Sequence, residues 1–260
     1  MVAKRLRALQ RGESVNLDRH DVAPDSPHAR AFVERAEMGD GWLHPAASNF
    51  TFVVELALDD QRAYGVYKPE RGERPLWDFP PGLYRRECAA YELSLLLGWP
   101  IAPPTVVRDG ELGVGSLQLF VPPRPDSHFF SLRDDHLEEA LRMAVFDLVA
   151  NNADRKGGHC FVAQTGGVWG IDHGLTLHAE HKLRTVIWDF AGNPVPQPLL
   201  DDLARLSSLL DAPAHGAASA LTGLLAPDET DALRERVRRL LADPVMPAPT
   251  SHRDLPYPWL

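Results

Sequence analysis

The chain has 260 residues, 44% of them hydrophobic and 24% charged, with a formal net charge of −9; this is enough material for one large domain or two lobes sharing a cleft. A surface of that sign repels nucleic acid and anionic lipid on average, so nucleic acid is not an expected partner. No apolar run approaches the ~20 residues needed to cross a bilayer, so no integral membrane segment is expected.

The N-terminus, Met1 to Arg7, is basic but lacks the apolar stretch of a secretory signal. Cys88 and Cys160 are therefore expected as two reduced thiols in a cytoplasmic protein, and neither lies in a Cys-x-x-Cys pair. Residues 1–44 read as a polar N-terminal extension with a short helix near His28 to Met38, broken by Gly39-Asp40-Gly41. From Asn49 to Leu58 apolar residues alternate along a strand (Phe50, Phe52, Val54, Leu56, Leu58), and Ala63 to Lys68 forms a second strand after a turn at 59–62. Gly82 to Leu97 reads as a helix with a stripe of Tyr84, Cys88, Tyr91 and Leu95, stopped by Gly98 and Pro100. Strands at 105–108 and 115–121 precede a proline-rich linker at 122–126.

After the linker, Asp135 to Ala150 carries an apolar helical face of Leu137, Leu141, Ala144, Val145 and Leu148. A polar loop, 151–159, leads into short strands at 160–163 and 168–171. Residues 198–243 are helical, with Leu199, Leu203, Leu206 and Leu210 on one face, and 244–260 form a proline-rich tail. The reading is α+β and bilobal: a small mixed lobe over 45–121 and a mostly helical lobe over 127–243.

Phosphoryl transfer asks a protein for a cation on the phosphates, carboxylates for Mg²⁺ and a polar group facing the nucleophile. Three places supply these types. Asp154 lies in the glycine-bearing loop Asn151-Asn-Ala-Asp-Arg-Lys-Gly-Gly-His159, with Arg155 and Lys156 beside it. Asp172 ends a strand before His173-Gly174. Lys68 ends a strand and Glu87 stands about one turn into the next helix, where a strand lysine can pair with a helix glutamate. Lys182 and Arg184 follow in a loop able to meet an anionic substrate. His178 and His181 are spaced three apart beyond His173, but no third ligand completes a zinc pattern.

The sequence Phe146-Asp-Leu-Val-Ala-Asn-Asn-Ala-Asp154-Arg-Lys-Gly-Gly-His159, together with Gly170-Ile-Asp172-His-Gly174-Leu, resembles the phosphatidylinositol 3-/4-kinase-like superfamily. Within it the type II lipid 4-kinases, and an actinobacterial kinase-like offshoot, are most similar. The resemblance implies a bilobal protein-kinase-like fold and an enzyme using ATP and Mg²⁺. It implies that Asp154 is the catalytic-loop aspartate and Asp172 the metal-binding one, and that Lys68 contacts the phosphates oriented by Glu87. In a phosphotransferase so arranged, His159 is expected to join Asp172 at the Mg²⁺, and Arg155 or Lys156 to steady charge on the phosphates. Ser48 and Asn49 would stand in the phosphate-covering turn, and Gln118, Phe120 and Val121 in the adenine-holding hinge. Two departures stand out. His159 occupies the place where the family usually has an asparagine metal ligand, and the phosphate-covering turn has no glycine-rich run. The expected activity is phosphate transfer to a hydroxyl of a small molecule or protein rather than a lipid, with a nucleotide-binding pseudokinase as the alternative. The identity of the acceptor is not legible in the sequence.

Overall fold

The computed structural model describes residues 6–8, 20–43, 49–212 and 216–260. It is an α+β protein, as expected. The chain divides into two compact units, each built from two stretches. The first comprises 1–88 with 103–122; the second comprises 89–102 with 123–260.

The first unit is a six-stranded sheet in the order β1-β2-β3-β4-β6-β5. Its strands are β1 (Leu6–Ala8), β2 (Glu37–Leu43), β3 (Phe52–Leu58), β4 (Gln61–Pro69), β5 (Thr105–Gly110) and β6 (Gly113–Leu119). Strand β1 is parallel to β2 and the other pairings are antiparallel. The period-2 segment at 52–58 and its partner at 61–69 form the expected hairpin, with Val54 opposite Gly65 and Phe52 opposite Tyr67.

The glycine pair at 39–41 does not break the chain: it lies inside β2, where the register against β3 shifts between Met38 and Gly41. A bulge of this kind absorbs glycines that look like a turn in the sequence. Helix α1 (Ala29–Arg35) is shorter than expected. Its carbonyl end is capped by the Arg108 guanidinium, which donates to the carbonyls of Val33 (2.6 Å), Glu34 (2.8 Å) and Ala36 (3.0 Å), satisfying acceptors that a helix end leaves open. Phe32 and Val33 pack with Val54, Leu56, Leu117 and Leu119 to form this unit's core.

Helix α2 (Leu83–Leu97) spans the division between the units. The Glu73 carboxylate caps its start, accepting from the Gly82 (2.9 Å) and Tyr84 (2.8 Å) amides. The helix is buried on nearly all sides, including Arg86, Glu87 and Glu92, whereas Leu95 of the expected stripe is exposed. A helix enclosed all round has no single apolar stripe to read.

In the second unit the latter part of α2 (Ala89, Ala90, Leu93, Leu97) joins a core with α4 (Leu137–Ala150), α5 (Gln197–Asp211) and α7 (Pro227–Ala242). The α5 face of Leu199, Leu203, Leu206 and Leu210 is buried as the spacing predicts. In α4 Ala144 and Val145 of the expected face are buried, together with Ala140, Met143, Phe146, Asp147, Val149 and Ala150, whereas Leu137 is exposed. Short helices α3 (Phe129–Leu132) and α6 (Ser219–Thr222) and the hairpin of β7 (Cys160–Val162) with β8 (Val168–Gly170) complete the unit.

Candidate active site

In the first unit the Lys68 side chain reaches from β4 to α2, where its Nζ donates to Glu87 Oε1. Glu87 is buried, and Lys68 keeps 22% of its side chain exposed. The backbone around Lys68 is set by a close approach: a Cβ on Gly115 of β6 would collide with the Lys68 carbonyl oxygen and lie 2.7 Å from the Pro69 Cα. Glycine at 115 thus lets β6 run tight against the lysine strand.

The other first-unit expectations meet a different environment. Asn49 turns its Oδ1 toward the Arg74 amide (3.1 Å), bracing the turn before β3 against 72–74; Ser48 lies outside the described residues. The Gln118 side chain donates to Thr105 Oγ1 (2.8 Å) and is buried within the sheet. The Phe120 amide donates to the Tyr64 carbonyl (2.9 Å), and its ring stacks on His20 at 5.5 Å. The Gln118 side chain and the Phe120 amide thus make their hydrogen bonds inside the first unit. Val121 is buried.

In the second unit, α4 ends at Asn151, which adopts the left-handed conformation (φ 51°). Its side-chain amide donates to the carbonyls of His178 (3.1 Å) and Glu180 (2.6 Å), and its Oδ1 accepts from the Lys182 amide (2.9 Å). The following loop pairs with 184–186 through Arg184 N–H to Asn152 O (2.8 Å), Arg155 N–H to Arg184 O (3.0 Å) and Val186 N–H to Arg155 O (3.1 Å).

The centre of this arrangement is a residue the sequence reading passed over. Asp147 of α4 is wholly buried and accepts from Arg155 Nε (3.0 Å to Oδ2) and Nη2 (2.9 Å to Oδ1), Asn152 Nδ2 (2.9 Å) and Thr185 Oγ1 (3.1 Å). The Arg155 guanidinium is also fully buried. It donates to the Ile171 carbonyl (3.2 Å) and lies 2.8 Å from His173 Nε2. Burial works to lower the Arg155 pKa, but the charge and hydrogen bonds of Asp147, joined by Cys160 and Asp172, carry it above its ordinary value. Arg155 therefore presents no exposed charge. It is an interior strut that joins α4, the Asp154 loop and the strand end before Asp172. The available signal was an aspartate set in the apolar run Val145-Phe-Asp-Leu-Val-Ala150, which cannot be buried without a partner.

Asp154, by contrast, stays partly open. Its amide is held by Asn152 Oδ1 (3.0 Å), and its Oδ2 accepts from Lys156 Nζ (2.8 Å). Burial raises its pKa above the ordinary carboxylate value; Lys156 and Arg184 oppose that and Asp172 adds to it. Asp172 has a left-handed backbone (φ 61°) and a half-exposed side chain, with His159 Nε2 3.5 Å from its Oδ2. Such a backbone is uncommon for a non-glycine residue and is found preferentially at functional positions. Lys156, Arg184 and His159 thus gather around the two carboxylates. Lys182 turns aside to Glu180 (3.3 Å). His173 is enclosed against Arg155, and His178 Nδ1 accepts from the Glu180 amide (3.0 Å). Among the described residues no group of three His, Cys, Asp or Glu could hold a metal ion by itself.

Comparison with known proteins adds the following. The sequence is 42% identical over 266 residues to Protein Rv2133c of Mycobacterium tuberculosis, covering 86% of this chain and 95% of that one. The chain belongs to the family of this mycobacterial protein. No protein-family model matches the sequence. Two solved structures are similar in shape: hydra Fam20 with sugar (TM-score 0.49, 15% identity, 88% of this chain and 91% of that one) and the Helicobacter pylori proinflammatory kinase CtkA (TM-score 0.44, 13% identity, 82% and 94%). Among the described residues no helix is long and apolar enough to cross a membrane.

Proposed function

We propose that the chain is a kinase-like phosphotransferase that takes ATP and transfers a phosphoryl group to a hydroxyl of a small molecule or protein. The observation that carries this reading is the pair of carboxylates, Asp154 and Asp172, close enough for one to raise the other's pKa. They stand in a cluster with Lys156, Arg184 and His159. Two like charges gathered at a partly open surface are stabilised by a cation.

The donor set fits Mg²⁺. Asp172 and Asp154 would supply the hard carboxylate oxygens that Mg²⁺ takes together with phosphate oxygens and water. When bound, Mg²⁺ would neutralise charge on the phosphates. Asp154 would orient the acceptor hydroxyl and take up its proton. Its raised pKa, chiefly from burial, improves it as a proton acceptor. Lys68, held by Glu87, would act as a cation toward nucleotide phosphates. Arg155 acts only through the residues it orients.

A second reading, a nucleotide-binding pseudokinase, is favoured by one specific observation. His159 stands at the second-ligand place with its Nε2 turned to Asp172, and imidazole is a poor Mg²⁺ ligand.

The deciding experiment is thermal unfolding with and without Mg-ATP for the wild type and Asp172→Ala. Ligand at a hundred times its dissociation constant stabilises by about 2.7 kcal/mol. A Mg²⁺-dependent shift that disappears in Asp172→Ala supports the site, and no shift at millimolar nucleotide ends the ATP reading. Nucleotide turnover abolished by Asp154→Asn then separates the transferase from the pseudokinase.

A further inference from the structure

The tail 250–260 does not trail away from the second unit. It is fastened to the same loop that carries Asp154. The Gly157 amide donates to the Trp259 carbonyl (2.8 Å), and the Thr185 amide donates to the Asp254 carbonyl (3.0 Å). The Asp254 carboxylate folds the approach to this second fastening. It accepts from the Thr250 amide (2.6 Å), the Thr250 hydroxyl (2.9 Å) and the Ser251 amide (2.9 Å).

At the far end, Trp259 lies edge-on to Phe130 at 6.4 Å, and Phe130 in turn packs edge-on against the buried Phe129 at 5.5 Å. Gly157 is held between these groups: a Cβ there would lie 2.7 Å from Phe130 Cε2 and 3.2 Å from Leu260 Cδ1. Gly157 is the first residue of a 3₁₀ turn ending at His159. Immediately before it, Lys156 reaches Asp154; at its end, His159 reaches Asp172. The fastened turn therefore carries side chains to both carboxylates.

Within 250–260 only Pro256 is buried; Tyr257 is 95% exposed, Trp259 64% and Leu260 63%. A segment held by a few backbone hydrogen bonds and one aromatic edge opens locally at a small fraction of the cost of global unfolding.

We propose that Thr250–Leu260 is a releasable strap that controls the site. Docked, it holds the Lys156–His159 turn so that Asp154 keeps its working geometry; released, it leaves nucleotide binding intact and slows turnover. Trp259 and Leu260 are positioning residues and touch no reacting atom. The proposal rests on the nucleotide-site reading above.

The test compares the full chain with a variant lacking residues 258–260 and with Phe130→Ala, which removes the ring under Trp259 while leaving the tail in place. Three quantities are measured: hydrogen exchange over 156–160, the Mg-ATP dissociation constant, and nucleotide turnover. Truncation is expected to speed exchange at Gly157 at least about tenfold and lower kcat at least about tenfold. The dissociation constant should stay within about twofold, and the melting temperature should be nearly unchanged. A peptide of sequence 250–260 added in trans restores kcat, and Phe130→Ala moves exchange and kcat in the same direction to a smaller extent. Unchanged exchange at Gly157 overturns the strap. Faster exchange with unchanged or higher kcat overturns its control of the site. If the full chain binds no Mg-ATP, the nucleotide reading falls and the control claim falls with it, while the exchange comparison still decides whether the tail holds the turn.

Discussion

Replacing Asp147 by Ala separates two roles for Arg155, an interior strut and a contact for phosphate. The variant would leave a fully buried guanidinium without its counter-ion, and breaking a buried pair from one side costs about 3–5 kcal/mol. Asn152 Nδ2 and Thr185 Oγ1 lose an acceptor as well, at about 1 kcal/mol each. The expected loss is therefore about 5–7 kcal/mol, a large part of the roughly 5–15 kcal/mol by which folded domains are stable. It should lower the melting temperature by at least about 10 °C for a chain of this size. Arg155→Met strands the Asp147 carboxylate with two neutral donors and should cost a comparable amount. The double variant Asp147→Leu, Arg155→Met, which leaves no charge buried, should lose less than the sum of the singles by roughly 2 kcal/mol. Urea unfolding of the four proteins, followed by circular dichroism, measures the cycle. If either single variant stays within about 1 kcal/mol of wild type while nucleotide affinity collapses, the strut reasoning is refuted and Arg155 belongs to the phosphates.

Asp154→Asn should remove turnover without loss of stability at neutral pH. The folded state raises this carboxyl's pKa, chiefly by burial, so the group's contribution to stability is complete below its unfolded value and is lost as pH rises through the folded one. The variant should match or exceed wild type in urea at neutral pH, and the difference should vanish below about pH 4; a variant clearly less stable at pH 7 contradicts this. Burial pushes the Cys160 thiol up to about 12, so its contribution is intact below about pH 9 and lost toward pH 12. Native Cys160 should alkylate roughly a hundredfold more slowly near pH 8.5 than in urea. Gly115→Ala, whose methyl meets the Lys68 carbonyl and the Pro69 Cα, should destabilise the first unit by about 1–3 kcal/mol. It should also weaken Mg-ATP binding; wild-type affinity in a stable variant would show that β6 does not set the position of Lys68. Glu87→Gln should lower turnover about tenfold, since a hydrogen bond to a charged partner is worth about 1.5–3 kcal/mol; a variant with wild-type kcat would show that Lys68 needs no partner.

The side-chain groupings that were legible announced themselves by element type. Lys68 ends an alternating strand, and Glu87 follows within the next helix; the structure joins them. Asp154, Lys156, His159 and Asp172 fall in one loop and one strand end, which brings them into one cluster. What stayed hidden depends on burial and register. Arg155 and Lys156 are adjacent and alike in sequence, yet one is wholly interior and the other faces the carboxylates. Gln118 alternates correctly for a sheet residue, but nothing local to it predicts that Thr105 would take its amide. Gly39 and Gly41 look like a break because a bulge uses the same residues as a turn. The tail could not be placed at all: its two fastenings, at 157 and 185, are backbone contacts that carry no side-chain signature.

The division inside α2 has a practical consequence for the order in which the molecule can be made. Neither unit is a continuous piece of chain: 1–88 needs 103–122, and 89–102 needs 123–260. Emerging from a ribosome, the first sheet cannot close until β6 has been synthesised, because β4 lacks its neighbour until then. The latter part of α2 must wait longer still, since the core it joins includes Leu233, Val237 and Leu240. Throughout that interval Ala89, Ala90, Leu93 and Leu97 are apolar surface awaiting cover, the kind of segment that chaperones hold and that aggregates when they do not. Fragments cut at any one point will therefore carry half of something, and studies of either unit alone require a rewired chain in which its two stretches are joined.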